Sequence, residues 1–130
     1  MTEPSRIAIE TEARATDPLR VLFCLGVGQN YSDAPPATRE AVLKALTEAF
    51  ADLEGRFGVG VLGTLDDDRL RIMPSQGWPW TAYILADVPT LETVTRVCNL
   101  IRKTPVKDAT LSRYVCMEAR VGRRLFFANE

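Results

Sequence analysis

The 130 residues carry 16 Lys and Arg against 17 Asp and Glu, a net charge of −1, and 46% of them are apolar. That composition fits one globular domain able to bury a core without disulfides or a structural metal, and its charge balance argues against nucleic-acid binding driven by phosphate neutralisation. The chain has no histidine, which excludes Ser–His nucleophiles, His-ligated zinc and His-ligated haem.

The polar stretch 1–18, with Pro4 and Pro18, reads as an arm carrying at most a brief strand over 6–10. Its acids and lack of an apolar run do not make a signal peptide. No segment reaches the ~18 apolar residues of a membrane span, so a cytoplasmic protein is expected. Cys24, Cys98 and Cys116 are three, widely spaced, and without a C-x-x-C pair. They read as reduced, buried thiols rather than a disulfide framework or a zinc site.

The single domain is expected over 19–130. Residues 20–27, RVLFCLGV, are apolar on both faces and predict a strand covered on both sides. A loop follows over 28–36, with Gln29, Asn30, Tyr31 and a double proline. Over 37–54, Val42, Leu46, Ala49, Phe50 and Leu53 recur at three- and four-residue spacing, and Phe57 extends the stripe. That predicts one long helix ending at Gly55. Residues 59–65 predict a second strand, and Asp66, Asp67 and Asp68 an acidic turn. A short strand over 70–73 is an open possibility. Residues 78–87, WPWTAYILAD, predict a third strand. Thr90 then caps a second helix whose apolar face is Leu91, Val94, Val97, Cys98 and Ile101, stopped by Pro105. Residues 112–121, SRYVCMEARV, predict a fourth strand.

The order β-α-β-β-α-β predicts an α+β, ferredoxin-like split βαβ fold with an antiparallel sheet in the order 4-1-3-2 and both helices on one face. Strands one and four are apolar on both faces. One face therefore needs a cover from outside the chain, and a homodimer with its sheets packed face to face is expected.

From 19 to 127 the chain resembles the dimeric α+β barrel superfamily, which includes cofactor-free monooxygenases, polyketide cyclases and muconolactone isomerases. The stretches LRVLFCLGVGQN, GRFGVGVLGTLDDD, GWPWTAYILADVP and EARVGRRLF are similar to IacB-type proteins of bacterial indole-3-acetate degradation clusters. That resemblance implies a role in aromatic-compound catabolism without fixing the reaction, and it assigns no catalytic residue.

In such a fold the natural pocket lies between the helices and the sheet. The loops over 28–36 and 66–80 would flank it. Tyr31, Trp78, Trp80 and Tyr83 could wall a planar aromatic ligand, or the tryptophans could plug the barrel rim. One of Asp66, Asp67 and Asp68, with Asp67 the leading choice, could act as a base, or the three could form a solvated turn. Glu118, inside an apolar strand, could be a second base or an ion pair with Arg120 or Arg113. Asn30 could polarise a carbonyl or phenolate, or simply serve its turn. The Gly26-Val-Gly28 run lacks the rest of a dinucleotide fingerprint. Arg120, or Arg102 and Lys103 at a helix end, could clamp a carboxylate. The expectation is a protein without a cofactor or metal, acting on a planar aromatic carboxylate. A non-catalytic binding or accessory protein for a partner oxygenase is the alternative.

Overall fold

The computed structural model describes residues 18–70, 72, 80–125 and 127. The expected strand over 6–10 lies outside these residues, as does Trp78, and the stretch expected as a strand over 70–73 is described only at Leu70 and Ile72, neither of them in a strand. The chain runs β1 (Leu19–Val27), α1 (Gln29–Ser32), α2 (Pro36–Ala49), α3 (Leu53–Phe57), β2 (Gly60–Asp66) and β3 (Ala82–Val88). It continues through α4 (Leu91–Cys98), α5 (Leu100–Lys103), the two-residue strands β4 (Pro105–Val106) and β5 (Ala109–Thr110), a 3₁₀ turn (Leu111–Arg113) and β6 (Val115–Gly122). The class is α+β. The main sheet is antiparallel in the order β2-β3-β1-β6.

Three expectations are corrected. The helix expected over 37–54 is two helices meeting at a corner. Asp52 turns the chain by adopting a left-handed conformation (φ 49°), and its carboxylate accepts a hydrogen bond from the Gly55 amide at 3.1 Å. Arg56 Nη1 reaches back to the carbonyls of Ala49 (2.6 Å) and Ala51 (2.8 Å). It satisfies acceptors that the end of α2 leaves open. Gly55 therefore sits inside α3, and the left-handed exit residue is Gly58 (φ 70°). Second, Leu91 is 63% exposed, although Val94, Val97 and Ile101 are buried. At 3.6 residues per turn it lies about 100° from the centre of that stripe. Third, the last strand starts at Val115 rather than at 112, because a small hairpin and the 3₁₀ turn intervene. Leu111 and Tyr114 are buried there. The Thr90 cap is as expected, with its hydroxyl accepting from the Thr93 amide at 3.1 Å.

Alternation divides the sheet. Val21, Phe23 and Leu25 of β1 face the same way as Ile84, Ala86 and Val88 of β3 and as Met117 and Ala119 of β6. These residues pack with the helices in two core clusters. One holds Val21, Phe23, Leu53, Val59, Val94 and Val97; the other holds Leu25, Val42, Ala45, Ala49, Ile101 and Leu111. Phe50, Ile84 and Met117 are partly buried and touch both clusters. The opposite face carries Leu22, Cys24, Tyr83, Leu85, Glu118 and Arg120, none of which belongs to either cluster.

Candidate functional site

The two clusters leave a gap where they meet. A cleft of about 450 Å³ opens between α2 and the sheet. Its apolar walls include Leu43, Leu46 and Phe50 on the helix side and Leu25, Ala82 and Ile84 on the sheet side. Thr47, Thr64, Asp66, Thr81 and Tyr83 are its polar lining, and no cation is among the described lining residues. Leu43, Leu65 and Asp66 are exposed, so the cleft opens at the free edge of β2. Phe50, Thr64 and Ile84 also border a smaller hollow of about 360 Å³ beside α3.

A second hollow, of about 490 Å³, lies on the opposite face of the sheet. Leu22, Leu65, Tyr83, Leu85 and Asp67 line it. The Tyr83 hydroxyl donates to the Trp80 carbonyl at 3.1 Å and lies 3.5 Å from Asp67 Oδ2, the outer limit of a hydrogen bond. The Asp67 amide donates to the Thr81 carbonyl at 2.9 Å, which closes the base of this corner.

Register lines the open face up in rows. Tyr83, Cys24 and Glu118 lie side by side across β3, β1 and β6, with Leu85, Leu22 and Arg120 in the next row. Glu118 pairs with Arg120 at 3.0 Å, two residues along the same strand, and not with Arg113. Glu118's hydrogen bond and charge hold the Arg120 guanidinium above its usual range. At the far end Arg20 pairs with Asp87 at 2.8 Å. Burial pushes the Cys24 thiol up, with Arg120 opposing and Glu118 adding to the shift.

The residues singled out in the sequence therefore part into three groups. Asp67, Trp80, Tyr83, Glu118 and Arg120 gather on or beside the open face, and Tyr83 also borders the cleft beneath α2. Asn30 and Tyr31 are held at another end of the fold and line neither hollow. Asn30 donates its amide to the Arg113 carbonyl at 3.1 Å, tying α1, a short helix inside the stretch expected as a loop, to the 3₁₀ turn, and Tyr31 packs on the α2-side core. Asp66 alone among the acidic triplet lines the cleft beneath α2. Sequence reasoning missed Thr47 and Thr64. Thr47 lies one residue after Leu46, on the flank of the apolar stripe, where a short polar residue borders a groove. Thr64 carried no such signal, because its direction depends on a bulge.

Among the described residues no group of three or more Cys, Asp or Glu side chains is placed to hold a metal ion, and no helix is long and apolar enough to cross a membrane. Comparison of the chain with known protein families, with curated proteins and with solved structures found no match.

Proposed function

We propose that this chain is a small cytoplasmic homodimer of the ferredoxin-like, dimeric α+β barrel kind, which takes a planar aromatic carboxylate into the cleft beneath α2 and acts on it without a bound cofactor. The cleft is the observation that carries this reading. Its volume of about 450 Å³ suits a small organic guest, and its walls are apolar side chains on three elements of the fold. A flat ring would bind by leaving water, and Asp66 at the lip supplies a carboxylate able to accept a proton. The guest's own carboxylate would face water on the side away from Asp66, since no cation is among the described lining residues. The open face of the sheet, where Leu85 is exposed and Leu22 and Tyr83 are half-buried, would meet its counterpart in the second copy. Aromatic-compound catabolism, with indole-3-acetate as the first candidate, follows from the sequence resemblance described above.

One observation favours a second reading, a non-catalytic binding or accessory protein for a partner oxygenase. Asp66 is exposed, and no hydrogen bond or ion pair with a described residue orients its carboxylate. Both readings are tested by incubating the protein with indole-3-acetate and its 2-oxo and 3-hydroxy derivatives. A rise in Tm together with a change in ligand mass supports the enzyme. A rise in Tm with unchanged ligand supports the accessory protein. No rise and no product with any of the three overturns the function proposed for the cleft.

A further inference from the structure

The polar lip of the cleft owes its direction to one extra residue in β2. Val61 pairs with Ala86, but the next pair is Gly63 with Leu85, so Leu62 has no partner on β3. In an unbroken strand Gly63 and Leu65 would share the helix-facing side with Val61. The bulge reverses the alternation beyond it. Thr64 now pairs with Ile84 and Asp66 with Ala82, both on the helix-facing side, while Leu65 pairs with Tyr83 on the open face. A bulge spoils part of a ladder, and here it turns Thr64 and Asp66 to the helix-facing side, where both line the cleft together with Leu65; Thr64, at the free edge, also borders the hollow on the open face.

From this we infer that the cleft selects aromatic guests carrying a ring N–H or O–H donor, which Asp66 accepts with Thr64 beside it. Asp66 is the single charged residue among the described lining residues. Its carboxylate makes no hydrogen bond or ion pair with another described residue, so its lone pairs are open to a guest. An ionised carboxylate only accepts hydrogen bonds. The Thr47 hydroxyl across the cleft is already donated to the Leu43 carbonyl at 2.9 Å, which leaves its oxygen an acceptor too. The lip is thus rich in acceptors and poor in cations, and it matches a donor on an otherwise apolar ring.

The inference rests on the function proposed for the cleft, and its test separates the two. Binding of indole-3-acetate is compared calorimetrically with that of its 1-methyl analogue and of benzofuran-3-acetate, which lack the donor. The parent protein is expected to prefer the N–H ligand by about tenfold, the size of one charge-assisted hydrogen bond. Asp66→Ala is expected to abolish that preference by weakening only the N–H ligand. Thr64→Val is expected to reduce it, and Asp68→Ala to leave it intact. Equal affinity for all three ligands, or a preference that survives in Asp66→Ala, overturns the inference while leaving the cleft as a binding site. Binding of none of them overturns the proposed function and this inference together.

Discussion

The two faces of the main sheet are built from the same strands and meet different demands. On the helix face Val21, Phe23, Ala86 and Val88 are fully buried within the chain. On the open face Leu22 and Cys24 stand between Leu85 and Tyr83 on one side and Arg120 and Glu118 on the other. A solvated sheet face normally alternates to polar residues. This one is apolar at its centre, with the Arg20–Asp87 and Glu118–Arg120 pairs beside it. An apolar middle with a charged margin is the composition of an interface. One face folds the chain, and the other, in the homodimer proposed above, places its second copy.

The largest expected effect breaks the first face. Phe23→Ala removes a ring packed in the core and should cost about 3–5 kcal/mol, read from urea unfolding. A loss below about 1 kcal/mol would mean that this face is not the folding core. The next effect breaks the second face. Leu22→Asp should leave the far-ultraviolet circular dichroism of the folded chain in place while weakening the dimer. An unpaired charge buried between copies costs about 3 kcal/mol, or roughly 100-fold in the dimer dissociation constant. Light scattering on a sizing column reads it directly. A parent protein that runs as a monomer at micromolar concentration, or a Leu22→Asp variant that stays dimeric at every dilution, removes the second copy from the account.

That β1 and β6 are apolar on both faces was legible in the sequence, because it needs only residue types, and the order of elements put both helices on one of those faces. The Thr90 cap and the Val94, Val97 and Ile101 stripe were legible for the same local reason. The α2–α3 corner was not, since an aspartate in the left-handed region looks like any other polar residue on a helix surface. The bulge at Leu62 was not legible either. A one-residue slip leaves the composition untouched and reverses every side chain after it. The slip puts Asp66 rather than Asp67 beneath α2, while Asp67, Glu118 and Arg120 lie on or beside the face opposite the expected pocket. The position of Asn30 was equally hidden, because its partner is a backbone carbonyl 83 positions away.

A smaller effect tests the corner that holds one wall of the cleft. Asp52→Ala loses the cap on the Gly55 amide and forces a β-carbon without local hydrogen bonds into the left-handed region, at a cost of about 1–2 kcal/mol. Asp52→Gly loses the cap but relieves the backbone, so it should cost less than Asp52→Ala in the same thermal or urea melts. A β-carbon at Gly55 would collide with the Asp52 carboxylate, so Gly55→Ala should resemble the loss of the cap. Equal stability of Asp52→Ala and Asp52→Gly would show that the left-handed turn is not under strain.

The smallest effect compares one thiol on each face. Burial holds both Cys98, packed on the helix-side core, and Cys24, on the open face, above the usual thiol range. A raised folded-state value means that the folded protein favours the neutral thiol. Its contribution to stability is complete below the unfolded thiol value of about 8.5 and is lost as pH rises through and beyond it. Cys98→Ala should therefore flatten the alkaline fall of Tm by the same amount at every protein concentration. Cys24 is buried within the single chain, at 1% exposure, but its shift is opposed by the Arg120 charge, so Arg120→Ala should steepen the alkaline fall that Cys24 causes and leave the Cys98 contribution unchanged. A Cys24 contribution that Arg120→Ala leaves unchanged would mean that the guanidinium does not act on this thiol.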